Sequence, residues 1–257
     1  MRVPAPILIC GLLVALASGV GHAQDPVAAM RDLIARGYWN SAAQLNGPNL
    51  VDARPDDPEA HLLLATALYL TGDVAGAAAR LEVATSLVQG GVPAAHVHLG
   101  GLIRAAQGDG VGAARQLQIA FLRQPSYAFA MDWGRIAWQN GLDDDALTAF
   151  AAAAQTPEGR VEAWPDLARG RVLGSLGRWD EAIAAFRRAL DVFEANDPGL
   201  ARPASPVYVE AWYRLGEAYE ALGDLAQAES AYKAARAVDP NHAPSVQAVD
   251  RLTRRLD

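Results

Sequence analysis

Cysteine is almost absent from this sequence of 257 residues, since Cys10 is the only one. Cys10 lies in an N-terminal apolar segment that we predict to be removed. The remaining chain then has no thiol, so it can form neither a disulfide nor a thiolate metal site. Its stability therefore has to come from the packing of apolar side chains.

Aromatic residues are also scarce, and runs of β-branched residues that would predict strands are missing after the first twenty positions. Alanine is abundant instead, and 51% of the residues are hydrophobic while 20% are charged. Alanine is the best helix former and lets helices approach closely. The composition therefore predicts an all-α fold with a sizeable core.

The N-terminus resembles a secretory signal peptide. Arg2 supplies a positive charge, Ile7–Ala17 form an apolar segment, and small residues precede a cleavage point after Ala23. An uncleaved membrane anchor is the alternative, although this segment is shorter than the roughly 20 residues that a spanning helix needs. We therefore expect residues 1–23 to be removed, leaving an exported periplasmic or extracellular protein with no membrane insertion after cleavage.

Basic residues are outnumbered, with 22 Lys and Arg against 29 Asp and Glu. Cleavage after Ala23 would remove one basic residue and no acidic one, which leaves a net charge of −8. Non-specific binding to nucleic acid or to anionic membranes requires a basic surface. The charge therefore argues against nucleic acid as a partner.

A glycine recurs after successive amphipathic segments, with spacings of 35, 36, 33, 36 and 46 residues. These glycines are Gly37, Gly72, Gly108, Gly141, Gly177 and Gly223. Glycine adopts positive φ without steric cost, so each one predicts a helix end and a turn. Aspartates that follow closely are expected to cap the next helix. They are Asp73, Asp109, Asp143, Asp180 and Asp224.

The last of these units carries the clearest family pattern. Its pattern residues are Trp212, Leu215, Gly216, Tyr219, Ala228, Tyr232 and Pro240. They make the chain similar to the tetratricopeptide repeat (TPR) family, whose unit of about 34 residues is a helix–turn–helix. The other units keep parts of the same pattern, and the unit around Gly37 is degenerate.

This resemblance implies an α-solenoid of about six helical pairs over residues 24–257. The repeats are expected near residues 26–54, 57–92, 93–125, 126–158, 162–195 and 207–240. A proline-containing insertion at 195–206 is either a simple loop or a hinge or contact loop. A capping helix is expected at 243–256, because apolar residues recur there on one face.

In the TPR family, the first helix of each pair lines a concave groove. The corresponding stripe contains residues suited to a peptide that carries a carboxylate or acidic side chain. The candidate peptide-binding residues are Tyr69, His98, Met131, Arg135, Trp138, Arg171 and Tyr213. Arg135 and Arg171 occupy equivalent positions in adjacent units. The lysine and asparagine of the family's carboxylate clamp are missing, and a solvated face is the alternative interpretation.

Motifs for catalysis or cofactor binding are not supported. Residues 108–113 fit a Gly-x-Gly-x-x-Ala fingerprint, but they follow a helical segment rather than the strand that dinucleotide binding needs. The pair His96 and His98 would point in different directions on a helix, which does not suit a shared metal. We therefore predict no catalytic residue, no cofactor and no metal.

The sequence thus predicts an exported adaptor or scaffold that binds a protein or peptide through the groove. One alternative is a structural subunit that packs through its convex face. Another is an envelope enzyme or small-molecule carrier that uses the groove, which would need an acid, base or metal cluster assembled from distant residues.

Overall fold

The computed structural model describes residues 25–196 and 205–256. The predicted signal peptide 1–23, with Cys10, and most of the predicted loop 195–206 lie outside these residues. The chain divides into two compact units, of which unit 1 ends at Leu142 and unit 2 begins at Asp143.

Helices account for the regular structure of the described residues. Unit 1 contains α1 (Pro26–Ala35), α2 (Trp39–Ser41), a π-helical turn (Ala42–Asn46), α3 (Gly47–Ala53), α4 (Pro58–Thr71), α5 (Val74–Ser86), α6 (Ala94–Ala106), α7 (Gly110–Arg123) and α8 (Tyr127–Gln139). Unit 2 contains α9 (Asp143–Gln155), α10 (Trp164–Ser175), α11 (Trp179–Asn196), α12 (Pro206–Ala221), α13 (Leu225–Val238) and α14 (Ala243–Leu256).

The predicted glycine turns are confirmed, since all six glycines have φ between 71° and 93°. At Gly72, the glycine N–H donates to the Tyr69 carbonyl at 3.0 Å, and the Asp73 N–H donates to the Leu68 carbonyl at 2.9 Å. This pattern satisfies carbonyls that the end of α4 would otherwise leave unpaired. The turn then leads directly into α5.

Aspartate caps follow the predicted pattern in three of five places. Asp73 and Asp109 accept hydrogen bonds from backbone N–H groups three residues ahead at 2.9 Å, and Asp224 does so at 3.1 Å. Asp143 and Asp180, by contrast, lie within the first turns of α9 and α11. The capping prediction is wrong for these two, although acidic residues in a first turn still interact favourably with the helix dipole.

In unit 1, helices adjacent in sequence pack against each other. α4 packs on α5, α6 packs on α7, and α7 also contacts α8. The first segment departs from a regular pair because the π-helical turn interrupts its second half. Its core still forms around buried Met30, Ile34 and Leu63.

Unit 2 repeats this arrangement, with α10 on α11, α12 on α13 and α14 on α13. Small residues on the first helices admit aromatic rings from the second helices. A Cβ atom built on Gly170 would lie 2.4 Å from the Phe186 ring, and one on Gly216 would lie 2.6 Å from the Tyr232 ring. Glycine therefore permits close helix packing at both positions.

The predicted all-α class of repeated helical pairs is confirmed. Among residues 25–196 and 205–256, the helices are too short or too polar to cross a membrane.

Candidate peptide-binding surface

Four predicted binding residues are partly exposed in unit 1. Tyr69 lies near the end of α4, while Met131, Arg135 and Trp138 recur at i, i+4 and i+7 along α8. This spacing places the three α8 residues on one helical face. We call these four residues the unit-1 stripe.

His98, predicted for the same surface, is fully buried in α6. Its ring stacks on Phe129 with the centroids 4.2 Å apart, and its Nε2 lies 3.0 Å from Oδ2 of Asp132. The prediction that His98 lines an exposed stripe is therefore wrong. The ring links α6 to α8 beneath the surface.

Arg135 is held in place by its own helix. One terminal nitrogen donates to Oδ1 of Asp132 at 3.1 Å, and the other donates to Oε1 of Gln139 at 3.4 Å. The Nε atom is buried without a hydrogen-bond partner, and 24% of the side chain is exposed. The guanidinium therefore has a fixed orientation and remaining donor capacity.

Tyr69 lies within electrostatic reach of this pair. Burial raises the pKa of its hydroxyl, the Asp132 carboxylate raises it further, and Arg135 partly opposes them. The hydroxyl consequently stays protonated at neutral pH and remains able to donate a hydrogen bond. An aromatic ring with a hydrogen-bond donor on α4 and a cation on α8 thus lie within electrostatic reach of each other in unit 1.

The contact between His98 and Asp132 does not form a catalytic centre. Asp132 is only 4% exposed and His98 is 0% exposed. General acid–base catalysis requires the group to reach a substrate proton directly or through a water molecule. This buried pair is therefore not placed to take a proton from a substrate, and Oδ1 of Asp132 accepts a hydrogen bond from Arg135. Within residues 25–196 and 205–256, no cluster of three or more potential metal ligands occurs.

Arg171 has an internal acidic partner in unit 2. Its Nε lies 3.9 Å from Oε1 of Glu210 on α12. Arg214 also donates to Glu210 at 2.9 Å and to Glu217 at 2.8 Å. The predicted ligand-binding arginine is thus part of a chain of ion pairs that connects α10 to α12.

Tyr213, the last predicted residue, lies on α12 and contacts the segment that leads into α14. Its ring is 5.5 Å from the Tyr232 ring and 5.3 Å, edge to face, from the His242 ring. Burial raises the pKa of its hydroxyl, and Glu217 raises it further. Tyr213 also lines a cavity of about 310 Å³.

Sequence reasoning missed Asp132 and Glu210, the acids that hold the two predicted arginines. For Asp132, a signal was present, because an acid three residues before Arg135 on a helix places both side chains on one face. Glu210 follows Arg171 by 39 residues, across the insertion. Local spacing gives no comparable signal for that pair.

The family model described as tetratricopeptide repeat matches residues 27–91, 99–161 and 167–243. The chain belongs to the tetratricopeptide repeat family. Proteins of this family typically act as scaffolds for protein–protein interaction, and the fold is typically non-enzymatic.

This TPR protein has a relative in plants. It is 31% identical over 93 residues to Protein KINESIN LIGHT CHAIN-RELATED 1 of Arabidopsis thaliana. These aligned residues are 36% of this chain and 14% of the relative. The match thus spans about one seventh of that relative's length.

Two solved structures share the fold. YrrB, a TPR protein with an unusual peptide-binding site, superimposes with a TM-score of 0.60 at 18% identity, covering 79% of this chain and 96% of YrrB. The apo form of RapI superimposes with a TM-score of 0.71 at 9% identity, covering 90% of this chain and 70% of RapI.

Proposed function

We propose that this TPR protein is an exported adaptor or scaffold whose unit-1 stripe binds a protein or peptide partner. The fixed guanidinium of Arg135, next to half-buried aromatic side chains, is the observation that carries this proposal. The peptide-binding site of YrrB agrees with it at the level of the fold.

The chemistry of the unit-1 stripe favours an acidic side chain or a carboxylate on the partner. Arginine binds carboxylates through geometrically defined hydrogen bonds, and Asp132 restricts the rotamers of Arg135 before the ligand arrives. Tyr69 and Trp138 are large, partly exposed aromatic residues of the kind that dominates binding energy at interfaces. Arg171 is left out of the unit-1 stripe because it belongs to unit 2, where its Nε lies 3.9 Å from Oε1 of Glu210.

The test compares Arg135→Gln with Arg104→Gln. Glutamine at 135 can still donate a hydrogen bond to Asp132 but cannot provide a cation. Arg104 is the matched control, because it lies on α6 of the same unit with 53% of its side chain exposed. Partners are cross-linked in the native envelope, purified with the protein and identified by mass spectrometry.

Loss of one identified partner in Arg135→Gln, with retention in Arg104→Gln, is the expected result. Binding of that purified partner is then measured directly. Equal binding by Arg135→Gln and the unchanged protein would show that the unit-1 stripe is not the contact.

Export is tested separately by the mass of the mature protein. Cleavage after Ala23 leaves a chain that begins at Gln24. Intact-mass analysis of envelope and cytoplasmic fractions distinguishes this chain from one that keeps residues 1–23. Full-length protein confined to the cytoplasm would contradict the proposed export.

A structural subunit is the second candidate function, and exposed apolar residues on α5 and α7 favour it. Val83, Val111, Ile119 and Leu122 are between 37% and 69% exposed. Exposed apolar groups of this kind are common at sites of protein contact. Ile119→Asp with Leu122→Asp would release the protein from its native complex under this second function and leave the complex intact under the first.

A further inference from the structure

His98 and Asp132 form a buried contact between α6 and α8 that a partner protein cannot touch directly. His98 is 0% exposed and Asp132 is 4% exposed. The contact reaches the surface through Arg135, which is bonded to Asp132 and has 24% of its side chain exposed. The question is therefore what the buried histidine contributes to the exposed arginine.

The position of the proton on the His98 ring follows from its surroundings. An ionised carboxylate only accepts hydrogen bonds, so the contact of 3.0 Å between Nε2 and Oδ2 of Asp132 requires the proton on Nε2. A proton on Nδ1 would be a buried donor without an acceptor, because Nδ1 has no hydrogen-bond partner. His98 therefore donates to Asp132, and its ring stacks on Phe129 with the centroids 4.2 Å apart.

The two oxygens of Asp132 serve two different partners. Oδ2 accepts from His98, while Oδ1 accepts from a terminal nitrogen of Arg135 at 3.1 Å. Both oxygens belong to one rigid carboxylate, so the bond from His98 also limits the rotation that would turn Oδ1 away from Arg135. The other side-chain contact of Arg135, to Gln139, is longer at 3.4 Å and lies at the surface.

We infer that His98 is a positioning residue for the unit-1 stripe, which holds Asp132 in one orientation so that Asp132 directs the guanidinium of Arg135 before a partner binds. This inference rests on the proposed function, because that function assigns Arg135 the contact with the partner. A ligand carboxylate then meets a guanidinium that has little rotational freedom left to lose on binding.

The test measures the motion of Arg135 by NMR in the purified, isotope-labelled protein without any partner. The rate of rotation about the Nε–Cζ bond reports how firmly the guanidinium is held. His98→Phe keeps a ring against Phe129 but removes the donor to Asp132. The rotation rate should rise in this variant by up to about tenfold, as expected when one hydrogen bond is lost.

A conservative variant separates the hydrogen bond from the ring. In His98→Gln, the amide nitrogen lies as many bonds from Cα as Nε2 of histidine does, so it can still donate to Asp132. The ring that stacks on Phe129 is lost. Rotation at Arg135 should stay as slow as in the unchanged protein, whereas a residue that only filled the core would not be replaced by glutamine without effect.

Two controls accompany these variants. Asp132→Leu removes the acceptor of Arg135 directly, so it should speed the rotation at least as much as His98→Phe. Arg104 is the internal control, because its Nε lies 3.7 Å from Asp109 and its side chain is 53% exposed. Its rotation rate should be the same in every variant, and circular dichroism checks that each variant keeps its helices.

The unchanged protein supplies a readout that needs no substitution. The ¹⁵N shifts of the His98 ring should place its proton on Nε2. A proton on Nδ1 would overturn the inference even if a variant failed to fold.

Two results from the variants would also overturn the inference. They are an unchanged rotation rate in His98→Phe and an equal acceleration in His98→Gln and His98→Phe. Failure of the proposed function is a separate observation, since Arg135→Gln would then keep its partner while the motion of Arg135 still responded to His98. The two proposals are therefore distinguishable when either one fails.

Discussion

The buried contact between His98 and Asp132 should make a measurable contribution to the stability of unit 1. In Asp132→Leu, the carboxylate that joins α6 to α8 is replaced by an apolar side chain of similar size. His98 is 0% exposed, so its Nε2 loses a partner at 3.0 Å without gaining access to water. Arg135 loses its contact at 3.1 Å but stays partly exposed.

The expected cost of Asp132→Leu follows from these two losses. An unsatisfied donor in the core costs about 1–3 kcal/mol. A partly exposed ion pair adds up to about 1 kcal/mol. We therefore expect the free energy of unfolding to fall by about 1–4 kcal/mol. That is a large fraction of the roughly 5–15 kcal/mol that stabilises a typical domain.

A double-mutant cycle with His98→Phe isolates this contact. Phenylalanine keeps a ring against Phe129 but leaves no donor, so the combined variant has neither partner of the hydrogen bond. Urea unfolding followed by circular dichroism should show the double variant less destabilised than the sum of the singles by about 1–3 kcal/mol. Additivity within about 0.5 kcal/mol would refute the reasoning, since it would mean that the contact contributes no coupling energy.

Two further predictions concern single residues. Burial lowers the pKa of His96 despite an opposing effect from Glu59. Below about pH 6.5, the unfolded chain therefore binds more protons at this residue than the folded chain does, and the free energy of unfolding falls on acidification. Unfolding midpoints measured against pH should therefore decline less steeply in His96→Phe, and equal slopes would contradict this. Gly216→Ala places a Cβ 2.6 Å from the Tyr232 ring and should cost about 1–3 kcal/mol, partly offset by about 1 kcal/mol of helix propensity. In Gly174→Ala, the nearest atom to the new Cβ lies at 3.3 Å, in the Trp179 ring. This variant should lose less stability than Gly216→Ala when both are unfolded thermally, and an equal loss would rule out the steric explanation.

The fold class could be predicted because its signals are local. A glycine such as Gly72 must adopt positive φ to reverse the chain, and Asp73 caps the following helix through its own neighbours. Both requirements act within a few residues, so they remain visible in the sequence. The repetition of this pattern at about 34 residues then specifies the family.

The candidate surface was less predictable, because exposure depends on what other helices contribute. His98 has the spacing of a stripe residue, yet Phe129 and Asp132 from α8 bury it. The repeat pattern predicts on which side of its helix a residue lies. Whether the residue is exposed to solvent depends on the side chains of neighbouring helices. This information is tertiary, and a single periodic pattern does not contain it.

Arg135 and Arg171 show why equivalent repeat positions need not share a role. Each arginine lies one position after the small residue in the first helix of its repeat, so the two positions are equivalent in the repeat pattern. Asp132 lies on the same helix as Arg135 and forms an ion pair with it. Glu210, by contrast, lies on the first helix of the next helical pair and forms ion pairs with both Arg171 and Arg214. The first arrangement holds a cation towards a partly exposed aromatic surface, and the second closes an internal ion pair. Arg171→Gln should lower the free energy of unfolding of unit 2 by at most about 1 kcal/mol, because the ion pair is partly exposed. It should leave partner binding at Arg135 unchanged, and loss of that binding would contradict this distinction.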